Sequence, residues 1–309
     1  MKDDAEKTQV RKLDRNMLAE GQPRHAYLIV LSGSEIGRML RLSTGKTSIG
    51  RSRQCTFLLE EEGISRLHAE LLIDNTGAPF IRDNHSTNGT LLNGRPVGEL
   101  PTPVNDGDRI QIGGAVILKF SYQDHLEESF QKRLYSSAVR DPLTGAYNKR
   151  YLTERLEQEF AHAERRGMPL SLVVLDLDHF KRINDGYGHA CGDEVLRSVA
   201  QHVEKHLRRE EIFARYGGEE FVVLMRETSL DAAMRAAERI RRLVEGLPIT
   251  YGSRTLSVTA SLGVASTDGA WHKNALRLFI AADRQLYRAK NLGRNTVCGP
   301  ERDNGGSTL

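Results

Sequence analysis

The sequence predicts two domains of different class joined by a short helix: an all-β sandwich, then an α/β or α+β domain whose helices cover a sheet. Three observations carry that expectation. From about residue 24 to 122 the apolar residues fall in short or alternating runs separated by Gly, Asn, Asp and Ser. After Asp141-Pro142 the pattern changes to long stretches of helical period alternating with short apolar runs. Between these regions, residues 123–139 lack Pro and Gly and place Leu126, Phe130, Leu134 and Val139 near helical spacing, which predicts a connecting helix.

In chain order, residues 1–23 are polar with no periodic core and are expected to form a mobile tail. The runs AYLIVL, RMLRL, TSIG, TFLL, AELLI, PFIRD, GTLLN, RIQIG and AVILKFSY are strand candidates, and their density with turn residues between them suggests a sandwich of roughly 100 residues. In the second half the strand candidates are LSLVVLDLD, IFARYGG, EEFVVLM and LSVTASLGVAS. They alternate with helical patterns over 151–167, 193–210, 229–247 and 275–293. The last residues, 301–309, read as a second tail, which leaves 24–122, 123–139 and 140–300 as sandwich, linker and second domain.

Length and composition agree with this division. A chain of 309 residues accommodates two domains, and 39% hydrophobic with 28% charged residues is the balance of a folded globular protein. The formal charge of +3 gives no case for nucleic-acid binding. Tyr27–Leu31 and Leu170–Leu175 are the longest apolar runs and are strand-sized, so no membrane span is expected. The start MKDDAEKTQVRKLDRN lacks the apolar stretch of a secretory signal, which points to the cytoplasm. Cys55, Cys191 and Cys298 are odd in number and form no CxxC pair, and read as buried thiols in a reducing compartment.

Three short elements stand in order in the first half: Gly50-Arg51, then Ser65-Arg66-Leu67-His68, then Ser86-Thr87-Asn88-Gly89-Thr90 with Asn93-Gly94. The set resembles the forkhead-associated (FHA) domain over about one hundred residues. The resemblance implies a β-sandwich whose loops at one end hold a phosphothreonine peptide. The residue types suit that role, since a phosphate with nearly two negative charges calls for guanidinium and hydroxyl donors. Arg51, Ser65, Arg66 and Thr87 would surround the phosphate, and Asn88 would bond the peptide backbone. His68, Gly50, Gly89 and Asn93 are expected to shape the loops.

In the second half, Arg215-Tyr216-Gly217-Gly218-Glu219-Glu220-Phe221 lies between two strand-like runs, with the paired glycines as a hairpin signal. Upstream, Asp176 and Asp178 end another apolar strand. Two carboxylate-rich strand ends, if adjacent, make a hard-oxygen site suited to Mg²⁺. With Asp141-Pro142-Leu143-Thr144-Gly145, Ser261–Ala265 and Lys290–Asn295, these segments resemble the GGDEF family of diguanylate cyclases, in unbroken order from about Arg140 to Val297.

That resemblance implies a central, mostly antiparallel sheet covered by helices and the condensation of two GTP into cyclic di-GMP between two facing copies. It makes Asp176, the Leu177 carbonyl, Glu219 and Glu220 ligands of Mg²⁺ or Mn²⁺, two ions per site, with Glu219 as the base at the attacking 3′-hydroxyl. Asn184 and Asp193 would recognise guanine, with His189 nearby. The amides around His179 and Phe180 would meet phosphates, with Lys181, Lys290 and Arg294 supplying charge. Asp178 is expected to cap the following helix or join the catalytic acids, and Tyr216 and Phe221 to be core residues. The family's product-inhibition motif, Arg-x-x-Asp, aligns with Arg208 and Glu211, where the acid is one methylene longer. Two rival readings are a catalytically weak nucleotide sensor and an FHA adaptor. The phosphothreonine partner is expected to be another protein or the chain's own tail, where Thr8 is the candidate phosphosite.

Overall fold

The computed structural model describes residues 23–114, 116–208, 210–268 and 272–300. Thr8, almost all of the expected N-terminal tail and the tail at 301–309 lie outside the described residues. The chain divides into two compact units between Tyr135 and Ser136.

The first unit is a sandwich of two sheets. Its strands are β1 (His25–Val30), β2 (Met39–Arg41), β3 (Gly45–Gly50), β4 (Phe57–Leu58), β5 (Ala69–Ile73), β6 (Pro79–Asp83), β7 (Thr90–Leu92), β8 (Arg95–Val97), β9 (Thr102–Pro103), β10 (Arg109–Ile112) and β11 (Val116–Gln123). Among the described residues one sheet has the order β2-β1-β11-β10-β7-β8 and the other β4-β3-β5-β6-β9. Alternation sets what faces inward: along β5, Ala69, Leu71 and Ile73 are buried while Glu70 and Leu72 are only partly so. Leu28, Ile49, Phe57, Leu71, Ile81, Ile110, Leu118 and Phe120 close the core without measurable exposure.

Helix α1 (His125–Val139) follows β11 directly. Its start is a reciprocal cap: the Glu127 amide donates to Asp124 Oδ1 at 2.8 Å and the Asp124 amide to Glu127 Oε2 at 3.0 Å. The helix contributes to both units, since the division falls between Tyr135 and Ser136.

The second unit runs α2 (Lys149–Arg166), β12 (Leu170–Leu177), α3 (Phe180–Tyr187), α4 (His189–Glu204), β13 (Ile212–Gly217), β14 (Glu220–Arg226), α5 (Leu230–Glu245), β15 (Ile249–Tyr251), β16 (Arg254–Leu256), β17 (Ala260–Ser266), α6 (Ala275–Asn291) and β18 (Val297–Cys298). Its main sheet has the order β13-β14-β12-β17-β18, antiparallel except for β17 with β18. Strand β12 lies at the centre and all eight of its residues are buried, which is why it reads as one continuous apolar run. β15 and β16 form a separate hairpin.

The structure differs from the sequence expectation in two helical details. The pattern over 193–210 corresponds to α4, which starts four residues earlier and ends at Glu204. Gly188, at φ +83°, separates α3 from α4, a break that apolar periodicity does not register. Cys191 and Cys298 are buried as expected, but Cys55 is only half-buried. It precedes the two-residue β4 in a loop, where its thiol donates to the Arg66 carbonyl at 3.1 Å. Among the described residues no helix is long and apolar enough to cross a membrane.

Candidate functional site

In the first unit, three loops meet at one end of the sandwich: those after β3, before β5 and between β6 and β7. Gly50 lets them approach, because a Cβ there would lie 2.4 Å from the Arg66 carbonyl oxygen. The Arg51 and Ser52 amides then donate to the Ser65 and Arg66 carbonyls at 2.9 and 3.0 Å. His68 is fully buried and joins the other two loops. Its Nδ1 accepts from the Ser65 amide at 3.0 Å, which leaves Nε2–H to donate to the Gly89 carbonyl at 3.0 Å. Asn93, at φ +51°, accepts from the Arg109 amide and donates to Asp108, so His68 and Asn93, two of the four residues expected to shape the loops, act through side-chain hydrogen bonds.

These contacts bring the expected phosphate ligands together. The Thr87 amide donates to Ser65 Oγ at 3.1 Å, and the two hydroxyls lie 3.4 Å apart. Arg51, Arg66, Thr87 and Asn88 are exposed beside them. The Asn88 amide nitrogen donates to the Gly63 carbonyl at 2.9 Å, leaving its oxygen as the open end. Below the loop, Asp83 accepts from Ser86 and Thr90. Burial raises its carboxyl, but those donors outweigh burial and hold it below the usual carboxylate range.

In the second unit, the register places Asp176 on β12 opposite Glu220 on β14, so two carboxylates face one another across adjacent strands. The Leu177 amide donates to the Glu219 carbonyl at 3.3 Å, which fixes the acidic turn against the same strand end. Lys290 on α6 reaches Asp176 Oδ2 at 2.8 Å. Burial nevertheless pushes the Asp176 carboxyl above its usual range despite Lys290, and the Glu219 and Asp178 charges push the same way. Glu220 is raised by burial and then by Asp176, with Asp283 and Glu219 adding to it against Lys290. The cluster carries more negative charge than one lysine neutralises.

Among the described residues, no group of three or more His, Cys, Asp or Glu side chains is gathered closely enough to hold a metal ion by itself. The donor chemistry fits Mg²⁺ all the same. Mg²⁺ takes one or two carboxylates together with water and substrate phosphates, and Lys290 alone does not balance the acids at these strand ends.

Beside the acids opens a cleft of about 490 Å³ whose lining includes Lys181, Asn184, His189, Asp193 and Glu219. Helices α3 and α4 position the first four, and Gly192 makes room: a Cβ there would fall 1.9 Å from Asn184 Oδ1. His179 precedes α3 at φ +58° and gives it no side-chain cap, so its first amides are left for another acceptor. Phe180 has its side chain in the core and also borders the cleft. Arg294 sits in the exposed turn after α6, at φ +68°, and is not among the cleft-lining residues.

Asp178 neither caps α3 nor joins the open acids. It is buried and accepts from Thr259 Oγ1, Ser261 Oγ and the Asn295 amide at 2.8, 2.7 and 3.0 Å, so it ties β12 to β17 and to the turn after α6. Phe221 is a core residue, whereas Tyr216 is half-buried between the Lys149 ammonium, 4.1 Å from its ring, and Phe279. Glu211 turns back to accept from the Arg208 amide at 2.8 Å, forming a local charged turn. Sequence reasoning assigned no role to Arg215. It lines the cleft, donates to the Gly218 carbonyl at 2.9 Å and pairs with Asp141 at 3.2 Å. Its visible signal was one arginine and one aspartate inside two recognised motifs.

Comparison with known proteins places both units. A family model described as "Diguanylate cyclase, GGDEF domain" matches residues 138–296, more than half of the chain, and one described as "FHA domain" matches residues 47–113. Diguanylate cyclase DgcP of Pseudomonas aeruginosa is 45% identical over 177 residues, 57% of this chain and 25% of that protein. Response regulator PleD of Caulobacter vibrioides is 44% identical over 180 residues, 58% of this chain and 39% of that protein. The chain thus spans a quarter to two fifths of the length of these curated relatives. The crystal structure of the GGDEF domain of DgcB from Caulobacter crescentus in complex with c-di-GMP matches with a TM-score of 0.50 at 33% identity, covering 52% of this chain and 93% of that one. With its acidic β12 and β14 ends beside a polar cleft, and with this family match, the chain belongs to the GGDEF diguanylate cyclase domain family and carries an FHA domain ahead of that domain.

Proposed function

We propose that the chain condenses two GTP molecules into cyclic di-GMP, and that its FHA domain regulates this activity by binding a phosphothreonine peptide. The observation that carries the catalytic reading is the cleft that sets Asn184, Asp193 and Lys181 beside Glu219, at the edge of a group of acids of which Asp176 is buried and Glu219 and Glu220 are half-buried. Asn184 and Asp193 read guanine, where one carboxylate accepts from N1–H and the exocyclic amine together. Lys181, Lys290, Arg294 and the amides at the start of α3 take the phosphates. Asp176, the Leu177 carbonyl, Glu219 and Glu220 are the groups that would hold Mg²⁺ or Mn²⁺. Bound there, the ions supply charge neutralisation at the phosphates and acidify the attacking hydroxyl.

A single domain binds one GTP, whereas the product is a two-fold symmetric dinucleotide, so two copies face each other. The 3′-oxygen of each GTP forms a bond to the α-phosphorus of the other, its proton passes to Glu219, and pyrophosphate leaves. Catalysis is then mostly positioning and charge stabilisation. Arg51, Ser65, Arg66 and Thr87 take the phosphate of the peptide and Asn88 its backbone. The peptide belongs to another protein or to the chain's own tail phosphorylated at Thr8. Because Glu211 is folded onto its own turn, Arg208 and Glu211 bind the product weakly, and turnover continues as product accumulates.

The test is an incubation of purified protein with GTP or ATP and Mg²⁺, with and without a phosphothreonine peptide. GTP alone should yield cyclic di-GMP, Glu219→Ala should abolish it, and Arg51→Ala should remove only the response to peptide. Full turnover by the Glu219→Ala protein overturns the assignment.

A further inference from the structure

The geometry points to Arg215 and Asp141 as a positioning pair that holds the catalytic turn from the first residues after the linker helix. Two glycines precede Glu219, and Gly218 has φ +49°, so no side chain of these two residues stiffens the turn, which its backbone holds through the pairing of Gly217 with Glu220 and the Leu177 amide on the Glu219 carbonyl. Arg215 adds a side-chain hold at the glycine pair. Its Nε donates to the Gly218 carbonyl at 2.9 Å, and its Nη1 lies 3.2 and 3.3 Å from the two Asp141 oxygens. A planar guanidinium makes both contacts at once, which an ammonium cannot do in the same geometry.

Asp141 is also held within its own turn. Its Oδ1 accepts from the Thr144 amide and hydroxyl at 2.9 and 2.7 Å, and its backbone closes a tight turn through Ala146 and Gly145. Both charged groups are largely buried, with side-chain exposures of 16% and 18%. That turn is fastened on each side. The Tyr147 amide donates to the Phe213 carbonyl and the Arg215 amide to the Tyr147 carbonyl, so the segment runs alongside β13. The Asn148 amide and side chain donate to the Val139 and Ala138 carbonyls, which are the last of α1. The end of the linker helix, the Asp141 turn and the Gly217-Gly218 turn therefore form one hydrogen-bonded assembly. Arg215 is its only side-chain contact to the Gly218 carbonyl among the described hydrogen bonds. A shift at the end of α1 has a direct route to the residue that precedes Glu219.

This inference rests on the cyclase reading, and its test separates the two. Asp141→Asn is nearly isosteric and can still accept from Thr144, but it loses the ionic hold on Arg215. In that variant, kcat for cyclic di-GMP formation should fall tenfold or more, since misplacement of about 1 Å can cost on the order of 100-fold. GTP affinity should stay within about twofold, because Asp141 does not line the cleft. In nucleotide-free protein, amide exchange over residues 216–220 should quicken at the same time. Thr144→Val removes one donor from the same carboxylate without touching Arg215, and should lower the melting temperature with kcat and turn exchange unchanged. If Asp141→Asn fails to fold, Arg215→Lys asks the same question, and the expected result is unaltered folding with a faster-exchanging turn. Unchanged kcat and exchange in the Asp141→Asn protein, or equal kcat losses in both the Asp141 and Thr144 variants, overturns the positioning role. Absence of turnover in the unsubstituted protein counts against the cyclase reading alone, because the exchange measurement needs no nucleotide.

Discussion

Glu220 is half-buried opposite Asp176 and close to Glu219 and Asp283, and the lysine that faces this group of acids is already paired with Asp176. A side chain kept under such repulsion costs stability in the nucleotide-free protein, as functional groups often do. Replacing Glu220 with Gln keeps the shape and removes one charge. The metal-free Glu220→Gln protein should melt higher, by about 2–4 °C for each kcal/mol relieved in a domain of this size. It should lose cyclase activity, and Mg²⁺ should raise its melting temperature less than that of the unsubstituted protein. Scanning calorimetry with and without Mg²⁺ reads both, and a lower metal-free melting temperature would show that Glu220 is stabilising. Asp178 shows how far residue type can mislead at this scale. Two positions from Asp176 and just past the end of its strand, it looks like another catalytic acid, yet two hydroxyls and one amide occupy its oxygens. Their partners lie 81 or more positions away in the chain, so nothing local in the sequence reveals them.

At the scale of elements, α6 carries Lys290 to the acids, and what brings α6 close enough is a glycine on β17. A Cβ on Gly263 would fall 2.1 Å from the Leu286 amide nitrogen and 2.2 Å from the Ala282 carbonyl oxygen, both backbone atoms of α6. Gly263→Ala must push the helix off the sheet. The expected cost is about 1–3 kcal/mol, as for overpacking elsewhere, with Lys290 drawn away from Asp176 and GTP affinity reduced. Denaturant titration and nucleotide binding measured on one preparation test this, and an unchanged midpoint would show that helix and sheet separate freely. The long elements were legible because their periods are. β12 and α2, α5 and α6 carry enough apolar positions to declare strand or helix. β8, β9, β15 and β18 were missed because two or three residues carry no period. The acids at the strand ends and the polar residues of the cleft were legible as motifs, whereas Arg215 with Asp141 was not, since 74 positions separate two charges that only the folded chain brings together.

At the scale of the whole molecule, each unit has its own closed core, one built on Leu28, Ile49 and Phe120 and the other on Val173, Phe221 and Leu262. Helix α1 belongs in part to each. Two separate cores are expected to unfold as two cooperative units, and each ligand should stabilise the unit that binds it. A ligand at 100 times its dissociation constant adds about 2.7 kcal/mol to the state it binds. Calorimetry of the intact chain should therefore show two transitions. A phosphothreonine peptide should raise one, and a GTP analogue with Mg²⁺ should raise the other. Arg51→Ala should cancel the first shift and Asp193→Ala the second. The size of any cross-shift measures the regulation: if the peptide also moves the transition that GTP moves, the sign of that movement says whether the peptide favours or opposes the nucleotide-bound state, because coupling between two ligands is reciprocal. A single transition raised equally by both ligands would mean that the two cores unfold as one, and the peptide could then act on the cyclase without any separate switch in α1.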